Sequence, residues 1–293
     1  MTKYLDVGKS WRTWAKHELM SSFVGQEVGA TGRMNGIKRL VWFDLSAGDA
    51  VKVDDEEWHK TCSPGILAHH AIHSRKPVEI ALYEIQAATY DRLVANLGAN
   101  LPRLGYVQES ENRWRAGDRV IQAFNSSGHN AVVDFVRCTD AVLVLNDPNA
   151  ITEWAMRDTF AQEIASRTPW FRSLSTMGCN PSGIKRMKPE ERLPWFDLVG
   201  AQQAALPRYR DLLLAAIERD EAQWAYLLCT AEKWRKATEA VISTAFRKIG
   251  RTVAMSWFRR DPARFEETKR TLFLTKKELR EWRNLQLPFL EAS

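Results

Sequence analysis

Four polar side chains in this chain stand at the ends of short apolar runs. Asp44 closes the run in "KRLVWFDL", Glu84 closes "VEIALYE", Asn125 ends "RVIQAFN", and Asp147 lies in "AVLVLNDPN". Runs that are apolar on both faces read as buried parallel strands, and ligands of parallel sheets sit at the carboxyl ends of the strands. Turns favour Asp and Asn for local reasons as well, so the signal lies in the set of four. Carboxylates and an amide at four such ends can accept from the ammonium, hydroxyl or amine groups of one ligand.

Small residues follow Asp44 at once: Ser46, Ala47, Gly48 and Ala50. A tight turn of small residues lets backbone N–H groups approach a ligand closely. The turn lacks the G-x-G-x-x-G of dinucleotide sites and the G-x-x-x-x-G-K-[ST] of a P-loop, which argues against a dehydrogenase and a phosphate-cradling ATPase. Glu84, ending the second strand, is placed to take both hydroxyls of a ribose, as acids do in dinucleotide folds. Asn146, Asp147, Pro148 and Asn149 form the candidate chemical centre. His69 and His73 lie four apart on one helix face, with His70 beside them. Zinc motifs use that spacing, but no third ligand is obvious, and a polar helix face or partly buried histidines are expected instead.

The elements that must hold these residues follow from pattern. Residues 10–24 read as a helix with Ser10 as N-cap, 38–45 as a strand, and 63–75 as a helix capped by Ser63 with Pro64 at its first position. Residues 78–84 form a strand and 85–98 a helix closed by Gly98. A hairpin leads into a strand ending near Asn125, and 129–137 read as a short helix. Residues 141–149 form a strand, 154–167 a helix and 170–178 a strand. Helical stretches follow around 196–219, then a strand at 224–231. Residues 232–250 form an amphipathic helix with Trp234, Thr238, Val241, Ile242, Ala245 and Ile249 on one stripe. A strand at 252–258 and basic helices over 261–286 complete the chain. Strands alternating with helices predict an α/β fold: a mostly parallel central sheet with helices on both faces. The expected division is an α/β domain over 1–258 and a basic helical C-terminal extension over 259–293.

The 293 residues are 45% apolar and 27% charged, the composition of a globular chain rather than a disordered one. No apolar run approaches the roughly 18 residues that span a bilayer, and the first twenty residues lack a secretory pattern. A cytoplasmic protein is expected. Cys62, Cys138, Cys179 and Cys229 include no C-x-x-C pair, so no structural zinc is expected. Between Lys233 and Arg283 stand 15 lysines and arginines against 6 acids, a net +9 in a chain of net +6. A basic segment on a mildly acidic body fits a polyanion, with Arg247, Lys248, Arg251, Arg259 and Arg260 as the expected grip on nucleic acid. Aromatics among those cations, as in "WFRRDPARF", suit bases, although most of the 12 tryptophans are expected in the core.

"FDLSAGDA" resembles the first cofactor motif of class I S-adenosylmethionine-dependent methyltransferases, D-L-F-A-G-x-G, with Ser46 for the aromatic and Ala50 for the second glycine. "SPGILAHHA", "IALYE", "LNDPN" and "WAYLLCTAEKWRKATEAV" resemble, in pieces over about residues 10–255, the three-Cys-motif partner proteins, a methyltransferase-like family of bacteria and their mobile elements. The resemblance implies a Rossmann-like methyltransferase fold and S-adenosylmethionine as cofactor. Asp44, Ser46 and Gly48 would then line its methionine part, Glu84 would hold its ribose, and Asn125 would stand by the adenine. In amino-methyltransferases N-P-P-Y or D-P-P-Y accepts from the acceptor amine. Here the corresponding stretch reads Asn146-Asp147-Pro148-Asn149, without the second proline and the aromatic.

Two functions are therefore expected. One is a methyltransferase acting on nucleic acid, DNA ahead of RNA. The other is a binding or partner protein that keeps the fold with altered chemistry. A nicotinamide or nucleotide-sugar enzyme is a distant third.

Overall fold

The structure, a computed structural model, describes residues 11–51, 57–147, 160–179, 210–217, 223–248 and 252–272, with isolated positions between 199 and 281. Among the described residues the strands form one ten-stranded sheet. Its strands are β1 (Arg39–Asp44), β2 (Val78–Glu84), β3 (Val107–Ser110), β4 (Arg113–Ala116), β5 (Arg119–Asn125), β6 (Asp140–Asn146), β7 (Trp170–Cys179), β8 (Arg210–Ile217), β9 (Gln223–Ala231) and β10 (Val253–Trp257). The helices are α1 (Trp11–Thr31), α2 (Trp58–Thr61), α3 (Ser63–Ile72), α4 (Ala87–Asn100), α5 (Phe160–Arg167), α6 (Arg235–Lys248) and α7 (Pro262–Thr271).

Across the sheet the order is β10-β8-β9-β7-β6-β1-β2-β5-β4-β3. The central run β7-β6-β1-β2-β5 is parallel throughout. Because β9 is antiparallel to both β7 and β8, β8 runs the same way as that central group. Six of the same-direction strands, β5, β2, β1, β6, β7 and β8, thus lie in the doubly wound order 3-2-1-4-5-6, with a reversed strand inserted before the sixth. The chain leaves β1 toward β2 and β5 on one side, then returns to build β6 and β7 on the other. That reversal opens a crevice at the carboxyl ends of β1 and β6, the place where open α/β sheets bind ligands. The expected α/β fold is the observed one.

Each face of the sheet has its own core. Leu40, Trp42, Ile80, Leu143 and Tyr226 pack under α1, α3, α4 and α6. Val41, Phe43, Val142, Val144 and Leu214 pack under α5 and α7. Phe265 of α7 is fully buried in that second core. Arg39 ties three strands at their amino ends: it donates to Glu79 at 2.7 Å, to Asp140 at 2.6 Å and to the Phe135 carbonyl at 2.9 Å. α1 is anchored by a buried ion pair, Arg172 to Glu27 at 3.0 Å, with the guanidinium 4.0 Å from the Phe23 ring. The Arg172 contacts with Glu27 and Phe23 fix where α1 lies over the sheet, and with it everything α1 carries to the strand ends.

Local expectations fail where a tertiary contact outweighs a local signal. α1 continues past 24 to Thr31; a Cβ on Gly25 would stand 3.1 Å from the His70 ring, so the glycine serves the close approach of α1 and α3. The cap of α3 is Cys62, not Ser63: its sulfur accepts from the Gly65 N–H at 3.4 Å. Gly98 lies inside α4; the left-handed residue is Gly105, at φ +83°, after a 3-10 turn from Leu101 to Leu104. Residues 129–137 form no α-helix; after a 3-10 turn over Gly128–Asn130, Val133 and Val136 are pinned in the core individually. Residues 210–217 are strand rather than helix: "DLLLAAI" is an apolar run that fits either element, and its antiparallel pairing with β9 decides. Ser10 and Ile249 lie outside the described residues.

Candidate functional site

β1 delivers Asp44 to the crevice fully buried. Its Oδ1 accepts from the Ser46 N–H at 3.3 Å, while its Oδ2 has no hydrogen-bond partner. Burial pushes this carboxyl up to about 6, and the nearby Asp147 charge adds to that, against the pull of the Ser63 hydroxyl, the Ser46 N–H and Lys16. A buried acceptor without a donor is costly, and buried polar atoms in native structures are nearly all paired. This one belongs to a residue at the carboxyl end of β1, where ligands of such sheets bind.

The turn after Asp44 is clamped on all sides. Leu45 N–H donates to the Leu145 carbonyl at 3.0 Å, and Ala47 N–H to the Tyr83 carbonyl at 2.9 Å. Asn96 holds the Asp49 carbonyl at 2.8 Å, and the Trp58 indole holds the Ala50 carbonyl at 2.8 Å. Gly48 has φ +64° and Ala50 φ +51°. Ala50 therefore holds a left-handed conformation at the position where the resembled motif has glycine. No atom stands within 4 Å of a Cβ placed on Gly48. Gly48→Ala should thus cost only the backbone strain, about 1–2 kcal/mol, measured as a lowered midpoint in urea.

β6 brings Asn146 and Asp147, and the strand alternation sends them to opposite faces. Asn146, fully buried, reaches Ser175 at 3.5 Å, and its Oδ1 has no partner. Asp147 turns toward α1. Its backbone N–H donates to the Ser46 hydroxyl at 3.1 Å, joining the β1 turn to the β6 end. Its carboxylate accepts from Thr176 and pairs with Lys16 at 2.5 Å. Burial pushes the Asp147 carboxyl up, but the Lys16 ammonium, the Thr176 hydroxyl and the field of His17 outweigh it and hold it below the usual range. Burial beside Lys16 takes the His17 imidazole down to about 4. Pro148 and Asn149 lie outside the described residues.

One strand further out, Glu84 and Asn125 are register partners. Glu84 is largely buried and accepts from the Gln86 N–H at 2.8 Å; Asn125 is exposed. Asp44, Ser46 and Asp147 are therefore in one contact network, and Glu84 and Asn125 line the same sheet edge beside it. Three of the exposed large apolar residues, Val51, Ile85 and Val132, follow the ends of β1, β2 and β5.

Sequence reasoning missed Lys16, His17 and Thr176. Lys16 stands 131 residues from Asp147, and no local pattern signals such a pairing. It also missed Tyr226, opposite Thr176 in the β7–β9 register, whose buried hydroxyl has no partner. Burial and the Asp147 charge raise its pKa.

The histidine pair on α3 belongs to a larger cluster with His59 and His70, described below. Among the described residues no group of His, Cys, Asp or Glu could hold a metal ion. No described helix is long and apolar enough to cross a membrane.

On the basic C-terminal side the cations are partly engaged. Lys248 pairs with Glu18 and Arg260 with Glu239 at 3.3 Å. Arg259 donates to the Arg208 and Leu206 carbonyls at 2.5 and 3.0 Å. Arg247 is exposed, and Arg251 lies outside the described residues.

No family model and no curated protein matches the chain. Solved structures do. A protein from Legionella pneumophila str. Philadelphia 1 is 8% identical with a TM-score of 0.49, over 83% of this chain and 96% of that one. An O-methyltransferase from Bacillus cereus in complex with SAH is 8% identical with a TM-score of 0.39, over 72% and 80%. A human methyltransferase 10 domain containing protein is 10% identical with a TM-score of 0.35, over 72% and 80%.

Proposed function

We propose that the chain is an S-adenosylmethionine-dependent methyltransferase that acts on nucleic acid, DNA ahead of RNA. The observation that carries this reading is the network at the topological switch point: Asp44 with an unpartnered buried oxygen, bonded through Ser46 to Asp147. The residues fit the cofactor. Asp44 Oδ2 lacks a donor, which the ammonium of a methionine moiety would supply. Glu84 has one oxygen held by Gln86 and the other to offer to ribose hydroxyls. Exposed Ile85 and Val132 would flank a base, with Asn125 beside it. When bound, the cofactor supplies an electrophilic methyl group.

The remaining work falls to this chain's own side chains. Asp147, kept ionised by Lys16 and fixed by Thr176, is an acceptor for an N–H of the methyl-accepting amine. Holding that amine in line is the protein's contribution. The basic segment of the sequence from Arg247 onward, with Arg247, Lys248, Arg251, Arg259 and Arg260, would neutralise phosphates.

Titration calorimetry with S-adenosylhomocysteine tests the cofactor, and micromolar binding is expected. Affinity for duplex DNA should fall linearly with the logarithm of salt concentration. No binding of S-adenosylhomocysteine refutes the cofactor assignment, and a salt-independent affinity refutes phosphate contacts. One observation favours a second reading, a partner protein with altered chemistry: the Lys16 ammonium sits on Asp147, where an acceptor amine would be held. Methyl transfer that survives loss of Asp147 would favour that reading.

A further inference from the structure

The sequence singles out His69 and His73, and the site described above uses neither. In the structure they join His59 and His70 in one cluster between α2 and α3. His59 and His69 stack face to face with ring centroids 4.1 Å apart and planes 14° apart. His69 also meets His73 edge-on at 4.8 Å and His70 at 5.6 Å. His69 is thus the hub: every other ring of the cluster touches it. His70 meets the Ser21 hydroxyl of α1 at 3.0 Å.

α2 is also the clamp on the cofactor turn. Its first residue, Trp58, donates from the indole to the Ala50 carbonyl at 2.8 Å. Ala50 holds φ +51°, a conformation an alanine keeps only when its surroundings impose it. Residue by residue, His59 stacks on α3, and its neighbour Trp58 holds Ala50. A displacement of α2 from α3 therefore pulls directly on the turn that ends the Asp44 site.

Neutral imidazoles stack; imidazolium cations at 4.1 Å repel. The charged groups facing the cluster do not offset this. At the N-cap of α2, Glu57 meets His59 at 3.0 Å but also Lys60 at 3.2 Å, and it is 63% exposed. From the 3-10 turn after α4, Arg103 shares a cavity of about 240 Å³ with Glu57, Trp58 and His59. From α1 comes the uncharged Ser21. Behind the turn, Asp44 and Asp49 act on Cys62, at the junction of α2 and α3.

We propose that His59, His69, His70 and His73 are a proton-operated release for the Ser46–Ala50 turn, closed while the imidazoles are neutral and opened when they gain charge. Burial lowers the imidazoles of His59 and His69, and takes His70 down to about 4. The sign follows. Groups with depressed values in the closed form bind more protons when it opens. The closed form is fully favoured above the free imidazole value of about 6.5 and loses ground as pH falls below it. The consequence for cofactor affinity rests on the methyltransferase reading; the opening of α2 does not.

The test follows exchange of the Trp58 indole proton by NMR in the full chain, at about pH 7.5 and about pH 5.5, corrected for the intrinsic rate. Wild type should lose about tenfold in protection. His69→Gln should lose markedly less, and so should His73→Gln, at an exposed position where folding is safe. Equal protection at both pH values in wild type overturns the proposal. So does an equal loss in wild type and both variants. In parallel, S-adenosylhomocysteine is titrated at both pH values, and its affinity should drop further in wild type than in His69→Gln. If the ligand binds but with the same pH dependence in both, the link to the turn is refuted. If it binds at neither pH, the cofactor reading fails, and the Trp58 result decides the release on its own.

Discussion

Asp147→Ala should abolish methyl transfer, with kcat falling at least about 100-fold, the range for loss of one preorganised polar contact at a reacting centre. S-Adenosylhomocysteine affinity should change by less than about threefold, because the Ser46 hydroxyl takes the backbone N–H of residue 147, which alanine retains. The control is Lys16. Its side chain is 17% exposed and pairs with Asp147 at 2.5 Å, so the alanine variant leaves a partly buried ammonium without its carboxylate. That alone costs stability. The double variant Asp147→Ala, Lys16→Met removes the stranded charge and should recover stability without recovering activity. In Lys16→Met alone, the partly buried Asp147 carboxylate loses the cation that holds its pKa down. The acidic limb of the kcat profile should then move to higher pH. Methyl transfer to DNA or RNA that persists in Asp147→Ala would mean that the acceptor is held elsewhere, and the partner-protein reading would gain. These assays follow tritium from the methyl group into nucleic acid, with stability read by urea titration.

What the sequence made legible was whatever one element encodes alone. The runs "RLVWFD" and "AVLVLN" declare buried strands because both their faces are apolar, and both are in register neighbours at the sheet centre. Their polar ends were legible for the same reason, since a strand that stops on Asp or Asn puts that residue at the crevice. Lys16 was not legible. Its position depends on where α1 crosses the sheet, which Arg172 and Glu27 decide from 145 residues apart. The His59–His69 stack joins two helices, and only the α3 half showed a period. Gly98 and Ser63 were misread as caps because local preference is weaker than packing. The helix runs on under Leu97 and Leu101, both fully buried, and the Cys62 sulfur already holds the Gly65 N–H. Residues 210–217 carry an apolar run that fits either element, and pairing with β9 decides for the strand.

Asp44→Asn should separate stability from function in opposite directions. The carboxyl is fully buried, and burial lifts it from its usual 3.8 to about 6. A carboxyl raised in the folded state binds its proton more tightly there than in the unfolded chain. The fold is therefore penalised as pH rises from about 4 through 6, by roughly 2–3 kcal/mol once ionised. Asparagine carries no such charge. The variant should be more stable than wild type at about pH 8 by an amount of that order, and the difference should vanish near pH 4. The same charge is what a cofactor ammonium requires. S-Adenosylhomocysteine affinity in Asp44→Asn should fall at least about tenfold at neutral pH, and wild-type affinity should weaken below about pH 6 as Asp44 takes up a proton. Calorimetric titration and thermal melts across pH 4–8 read both effects. A variant that is stabilised yet still binds would place the ammonium elsewhere. A variant that is not stabilised at about pH 8 would mean that Oδ2 has a donor in solution, and the strongest physical argument for a ligand at this strand end would be lost.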